Sequence, residues 1–232
     1  LRLARQFTEL DLTEKAVRHL KAIREEAPDN QNLWMIWYDI VKNSGSAERM
    51  ATVAREGLHA LAPGNWDFMP AAIELFISAG KYSDARDYID KLEEKQMPPG
   101  RIAFLEGLLA SNRSQYNQAV QHFRDAVNLG NNSTRVTMLL ANALQQVGNS
   151  QQALQRLREL LNRRPQTPSA RMALAQMLAD NGNLSEAAEH IRQVLQRYPD
   201  NFQARLLYNR VLMRSAAASG RDNAAALQEI EA

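Results

Sequence analysis

Apolar side chains recur along the chain at the three- and four-residue spacing of one helix face. Leu174, Met177 and Leu178 form one such stretch, and Gly182 follows it. A glycine there can adopt the left-handed backbone that ends many helices. A second apolar helix face comes next and stops at Pro199. The pattern therefore predicts two helices joined by a tight turn.

This helix–turn–helix pattern recurs every 34 residues. The positions that keep the interval are small, turn-forming or helix-ending residues: Ala85, Ala119, Ala153, Ala187, Gly80, Gly148, Gly182, Pro165 and Pro199. We expect alanine where two antiparallel helices cross most closely, because only a small side chain fits there. A fixed period predicts stacked repeats that bury their apolar faces against one another.

The register divides residues 1–232 into seven repeats of a single array: 1–30, 31–64, 66–99, 100–133, 134–167, 168–201 and 202–232. Two helices per repeat predict an all-α chain of about 13 helices without strands. In the last repeat, Ala216–Gly220 is expected to lengthen the first helix, or the turn that follows it, by about one helical turn, and Asp222 or Asn223 to cap a short final helix. Because the chain opens with Leu1 inside a helical pattern, we expect a segment of a longer protein.

The repeat resembles the tetratricopeptide repeat, whose 34-residue pattern includes Leu-Gly, Tyr, Ala, Phe and Pro. Residues 100–133 supply Gly107, Tyr116, Ala119 and Phe123 at the matching places. The resemblance covers nearly the whole chain and is strongest to bacterial multi-repeat arrays. It implies a right-handed superhelical solenoid of antiparallel helix pairs, with the first helix of each pair lining a concave groove.

The resemblance also places a set of first-helix side chains in that groove. An apolar line and its amide and arginine neighbours are the predicted binding residues: Met35, Phe104, Met138, Met172, Leu206, Asn142, Gln176, Arg101, Arg135 and Arg210. Methionine adapts to apolar partners of varied shape, which favours a binding groove. The same positions equally fit packing between neighbouring first helices, and the sequence leaves both interpretations open.

Charge is distributed unevenly along the chain. Residues 1–100 carry 13 basic and 16 acidic side chains, and residues 101–232 carry 15 basic side chains, all arginine, and 10 acidic ones. The predicted groove is therefore acidic at one end and basic at the other. Arginine forms bidentate contacts with carboxylate and phosphate groups, so these arginines are expected to attract an acidic protein segment or an anionic polymer. A compositional bias of the source organism toward arginine is the alternative interpretation.

The sequence gives no support to catalysis, cofactors or metals. It has no cysteine, no glycine-rich phosphate loop and no nucleophilic serine motif. His19, His122 and His190 lie one or more repeats apart, too far to share a metal, and are interpreted as surface residues. We therefore expect no enzyme. The tryptophans lie outside the arginine-rich part, which disfavours nucleic acid, and no apolar run is long enough to span a membrane.

Two functions stay open at this point. One is a scaffold that binds an extended or helical protein segment in its groove. The alternative is a periplasmic or envelope part of a bacterial polysaccharide synthesis or export system, with an anionic polysaccharide as ligand. The sequence does not decide between cytoplasm and periplasm. Incomplete terminal repeats would expose apolar stripes, so we also expect edge-to-edge contacts between copies.

Overall fold

The computed structural model of the protein describes residues 1–9, 12–61 and 67–219. The chain divides into two compact bodies, Leu1–Gly130 and Asn131–Ala232, here called the N-terminal body and the C-terminal body. All regular secondary structure in the described residues is helical. The all-α class expected from the sequence is therefore confirmed. The short final helix expected around Asp222 and Asn223 lies outside the described residues.

The N-terminal body holds eight of the described helices, arranged as four consecutive pairs. They are α1 (Arg2–Glu9), α2 (Thr13–Glu26), α3 (Gln31–Ser44), α4 (Ala47–Ala60), α5 (Met69–Ser78), α6 (Tyr82–Glu94), α7 (Pro99–Asn112) and α8 (Tyr116–Asn128). Each helix contacts its neighbour in the chain, and the first helices α3, α5 and α7 also contact one another in turn.

The C-terminal body holds five of the described helices. They are α9 (Thr134–Gln146), α10 (Ser150–Arg163), α11 (Pro168–Asp180), α12 (Leu184–Arg197) and α13 (Phe202–Ser219). The first helices α9, α11 and α13 contact one another in turn, as in the other body. With 18 residues, α13 is longer than α9 to α12 and includes the additional turn expected after Ala216.

The cores of the two bodies differ in composition. Aromatic rings fill the N-terminal core, where Trp34 stacks on Trp37 at a centroid distance of 5.5 Å and lies 6.3 Å from Phe68. Aliphatic side chains fill the C-terminal core, with Leu157 and Ile191 fully buried. In both bodies the buried residues recur at helical spacing, so each helix turns one apolar face inward.

Small residues allow the helices of a pair to approach closely. Ala85, Ala119, Ala153 and Ala187 all have no exposed surface. The first-helix site that faces them is equally tight, because a Cβ added at Gly107 would lie 2.5 Å from the Phe123 ring. Larger side chains at these crossings would force the helices apart.

A left-handed residue ends the first helix in several repeats. Gly148 and Gly182 have φ values of 80° and 83°. This backbone lets Asn149 and Asn183 donate their N–H groups to Leu144 and Leu178 at 2.9 and 2.8 Å, which satisfies helix-terminal carbonyls. Ser114 holds the same place in its repeat and adopts φ of 59°, a conformation that costs a non-glycine residue free energy.

A side chain from the next first helix closes several of the turns between repeats. In each case the donor lies six residues after a proline and bonds to that proline's carbonyl oxygen. The bonds are Trp34 Nε1 to Pro28 O at 2.7 Å, Arg171 Nη2 to Pro165 O at 2.9 Å and Arg205 Nε to Pro199 O at 2.7 Å. The Trp34 indole and the guanidinium groups of Arg171 and Arg205 thus make the same hydrogen bond to a proline carbonyl, although only the arginines carry a positive charge.

Candidate functional site

The predicted binding residues lie on the first helices of both bodies. We call this surface the first-helix face; its central positions are Met35, Pro70, Phe104, Met138, Met172 and Leu206. These positions differ in exposure to solvent. Whether the surface can receive a partner therefore has to be judged separately in each body.

In the C-terminal body the central positions stay accessible to solvent. Met138 and Met172 are half-buried, and the Leu206 side chain is 49% exposed. Phe202 and Met213 lie on the same side of α13 as Leu206 and are 70% and 52% exposed. These side chains provide an apolar surface along α9, α11 and α13.

Polar side chains flank this apolar line in the C-terminal body. Asn142 is exposed, and the half-buried Gln176 donates from Nε2 to Asp180 Oδ1 at 2.8 Å, which orients its amide. Arg135 is exposed at the start of α9, and Arg210 is exposed near the middle of α13. Amides and guanidinium groups can bond to main-chain carbonyls or carboxylates of a bound segment.

In the N-terminal body packing closes two of the three central positions. Pro70 is buried, and Phe104 is 8% exposed because its ring packs 6.4 Å from the ring of Phe123 on α8. Leu108, which flanks the central positions on α7, is also buried. Met35 is half-buried, and Arg101 is exposed at the start of α7. Here the packing interpretation of the repeated apolar position describes the surface best.

A polar network lies between α3 and α5, among the residues that flank the central positions of the first-helix face. Glu74, with 11% of its side chain exposed, accepts from Tyr38 Oη and from Lys42 Nζ, each at 2.7 Å. The Lys42 ammonium also lies 4.7 Å from the centre of the Tyr38 ring. This cluster was not predicted from the sequence. Its one signal was Tyr38, which occupies a position held by the small residues Gly107 and Ala141 in later repeats.

A second charge pair, between an exposed arginine and a buried glutamate, joins α6 to α7. Arg86 donates to both carboxylate oxygens of Glu106, one at 2.7 Å, although Glu106 lies in the middle of a largely buried helix. The hydrogen bond to Glu106 raises the pKa of Arg86 above its ordinary value. A bidentate pair of this kind orients the two helices and leaves no free charge for a ligand.

No group of three or more His, Asp or Glu side chains in the described part of the chain is placed to hold a metal ion. Within the same residues, no helix is long and apolar enough to cross a bilayer. His190 differs from the surface residue that the sequence suggested: it is partly buried, with Nδ1 3.4 Å from Arg171 Nη1.

The comparison with protein families confirms the resemblance noted in the sequence. Residues 138–202 and 180–232 each match the family described as tetratricopeptide repeat. No curated protein matches the chain in sequence. Both matched ranges lie within the C-terminal body, and similarity of structure extends the same fold over the other body.

Three solved structures illustrate that similarity. A tetratricopeptide repeat protein from Parabacteroides merdae has a TM-score of 0.73 at 12% identity, over 91% of this chain and 82% of that chain. The APC/C hetero-tetramer Cut9–Hcn1 has a TM-score of 0.61 at 15% identity, over 90% of this chain and 41% of that chain. YrrB, a tetratricopeptide repeat protein with an unusual peptide-binding site, has a TM-score of 0.50 at 18% identity, over 80% and 95%.

These similarities establish the fold. The chain spans about two fifths of the length of the Cut9–Hcn1 chain that it matches, with 41% covered. At identities of 12% to 18%, the individual binding residues of those proteins cannot be carried over. Neither the family match nor the similar solved structures support the polysaccharide alternative.

Proposed function

We propose that the protein is a non-catalytic interaction scaffold that binds an extended or helical segment of a partner protein on the first-helix face of its C-terminal body. The observation that carries the proposal is the exposure of one repeated apolar position. Met138 and Met172 are half-buried and Leu206 is 49% exposed, although the equivalent Phe104 is 8% exposed. Accessible apolar side chains at regular spacing suit a partner that presents apolar side chains at regular intervals.

The flanking side chains indicate how such a segment would be oriented. Methionine side chains adapt to apolar groups of different shape. Asn142 and Gln176 can bond to the main chain of the segment, and Arg135 and Arg210 favour carboxylates on it. The partner chemistry is therefore a segment with spaced apolar residues and acidic neighbours. Met35, Phe104 and Arg101, in the other body, stay predictions from the sequence.

Known proteins of this fold support the general form of the proposal. YrrB has a peptide-binding site, and Cut9–Hcn1 is a hetero-tetramer. Both are cases of a tetratricopeptide array that contacts another polypeptide. The edge-to-edge contacts between copies expected from the sequence would compete for the same exposed residues of α13.

The proposal can be tested without knowing the natural partner. A library of random peptides displayed on phage is selected against the protein, and the affinity of the selected peptides is measured by fluorescence anisotropy. We expect Met172→Asp to weaken binding at least about tenfold, because it places a charge in the apolar line. The matched control is Gln196→Asp, which adds the same charge at an exposed site on α12.

Two outcomes would reject the proposal. One is that Met172→Asp and Gln196→Asp have the same affinity for every selected peptide while both keep the wild-type melting temperature. The other is that selection yields peptides that bind with no dependence on any first-helix side chain. Peptides with acidic residues should also lose affinity several-fold as ionic strength rises, since exposed charges are screened.

A further inference from the structure

A small cavity lies in the C-terminal body where the turn between α10 and α11 meets the end of α12. Its volume is about 190 Å³. Its polar lining residues are Gln166, Thr167, Arg171, Gln193, Arg197 and Tyr198. We call this cavity the turn pocket. Two guanidinium groups line it, and no carboxylate is among the described lining residues.

Arg171 makes all its direct contacts in the described structure with neutral acceptors. It donates to Pro165 O at 2.9 Å and to Gln193 Oε1, and it lies 3.4 Å from His190 Nδ1. Two carboxylates are reached through one intervening side chain: Glu189 accepts from Gln193 Nε2 at 3.2 Å, and Glu186 lies 3.8 Å from His190 Nε2. The positive charge of Arg171 is therefore oriented by the fold but has no directly paired negative charge.

Arg197 is in the same situation on the other wall of the pocket. It donates to Gln166 Oε1, and its guanidinium lies 5.9 Å from the centre of the Tyr198 ring. An amide oxygen and an aromatic ring hold the group in place without neutralising it. Two guanidinium groups around one cavity repel each other, and an anion between them would remove that repulsion.

The next turn along the chain shows the same arrangement with its charge balanced. Arg205 bonds to Pro199 O at 2.7 Å, as Arg171 bonds to Pro165 O at 2.9 Å. Arg205 also forms an ion pair with Asp200 at 3.2 Å. Asp200 lies 34 residues after Gln166, so the two are equivalent. Gln166 therefore replaces the acid that neutralises the matching arginine one repeat later.

We propose that the turn pocket binds a phosphate group, either the free ion or the phosphate of a small phosphorylated molecule. Planar guanidinium groups form bidentate bonds with phosphate oxygens. The Gln166 amide nitrogen adds a donor, because its oxygen already accepts from Arg197. None of the residues that line the pocket is a central position of the first-helix face, so the phosphate proposal does not depend on the proposed peptide binding.

His190 provides an independent signal for an occupied pocket. Burial of the imidazole, and after it the positive charge of Arg171, lowers the pKa of His190. A phosphate bound to Arg171 would offset part of that positive charge. The pKa of His190 should then rise, and only for a ligand in contact with this arginine.

The test measures phosphate binding by the full chain in a phosphate-free buffer, with ionic strength held constant by sodium chloride. Inorganic phosphate is titrated by calorimetry, and the His190 imidazole is followed by NMR. We expect saturable binding with a rise in the His190 pKa. Gln166→Asp should weaken binding at least about tenfold, since its carboxylate supplies the missing negative charge from within.

Two further variants keep the result interpretable. Arg205→Gln removes the equivalent but already paired guanidinium and should leave phosphate affinity unchanged. Arg197→Gln alters an exposed side chain and should weaken binding as strongly as Gln166→Asp, even if the latter is less stable. Titration with O-phosphoserine distinguishes the sources, because tighter binding than inorganic phosphate indicates a phosphate ester. No saturable binding by wild type, or equal affinity in wild type and Arg197→Gln, would overturn the proposal.

Discussion

The first-helix faces of the two bodies place different side chains on a similar backbone. In the N-terminal body, Phe104 packs its ring against Phe123 of its own repeat and is 8% exposed. In the C-terminal body, Leu206 at the equivalent position is 49% exposed, and Met172 is half-buried. At Phe104 an aromatic ring packs onto the second helix of its own repeat and closes the surface. At Met172 and Leu206 the side chains leave the surface accessible.

The polar residues that flank the central positions show the same contrast between the two bodies. Glu74 is held by Tyr38 and Lys42 and serves to join α3 to α5. Asn142 is exposed, and Gln176 bonds only within its own helix, to Asp180. Glu74 in the N-terminal body thus connects two first helices, whereas Asn142 and Gln176 in the C-terminal body are the side chains that we propose bind a partner segment. A repeat position therefore has no fixed role along the array.

The largest expected difference is in the stability cost of truncating the central side chain. Phe104→Ala should lower the free energy of unfolding by about 3–5 kcal/mol, because a buried ring is replaced by a cavity. Leu206→Ala should cost less than about 1 kcal/mol, since the side chain is already half exposed. Denaturant unfolding followed by far-UV circular dichroism measures both. Equal costs at the two positions would remove the contrast between the faces.

Truncating the polar residues that flank the central positions should give a smaller difference in the free energy of unfolding, with the same sign. Glu74→Ala is expected to cost about 1–3 kcal/mol, because the Tyr38 hydroxyl and the Lys42 ammonium lose their partly buried acceptor. Gln176→Ala should stay within about 0.5 kcal/mol. A double-mutant cycle between Lys42 and Glu74 isolates their coupling. Free energies that add without coupling would show that the network does not stabilise the N-terminal body.

Serine and glycine can be exchanged in opposite directions at the turn that ends the first helix, one substitution in each body. Ser114→Gly should raise stability by about 0.5–1 kcal/mol, because glycine adopts the left-handed backbone without strain. Gly148→Ser, at the equivalent turn of the C-terminal body, should lower it by a similar amount. Thermal unfolding of the two single variants and of the double variant checks this prediction. A destabilised Ser114→Gly variant would mean that the serine side chain outweighs the backbone strain.

The smallest effect concerns pH and involves the C-terminal body alone. Burial, and then Arg171, lowers the pKa of His190, whose other charged neighbours are Glu186, Glu189 and Arg158. In the unfolded chain the imidazole binds a proton near its ordinary pKa of 6.5, and in the folded chain it binds the proton only at lower pH. Stability should therefore fall as pH drops below about 6.5, with the loss complete below the folded-state pKa. His190→Gln should flatten this part of a melting-temperature profile, and an unchanged profile would contradict the assignment.

The sequence predicts the fold of this protein better than its site. The 34-residue interval places Ala119 and Ala153 at helix crossings and Gly148 and Gly182 at turns, because these positions are governed by local space and backbone conformation. It does not predict exposure on the first-helix face. Phe104 and Met172 share a repeat position and differ in burial, because burial depends on what the ring contacts across the repeat.

The charged contacts could not be predicted for a related reason. Lys42 and Glu74 are 32 residues apart, and Arg86 and Glu106 are 20 apart, so neither pair has a helical spacing. Comparing repeats position by position would have given a partial signal. It identifies Gln166 as the residue that replaces an acid at Asp200, but only the structure shows that Arg171 and Arg197 meet around it.

Methyl resonances of the methionines test the central claim most directly. The chain has 8 methionines, and Met35, Met138 and Met172 lie at equivalent positions of the first-helix face. Each can be observed by NMR after labelling of the methyl groups, during titration with a peptide selected against the protein. The account predicts that Met138 and Met172 shift with saturation and that Met35 and the buried Met177 do not. Shifts confined to Met35, or an absence of shifts at Met138 and Met172 with a bound peptide, would contradict it.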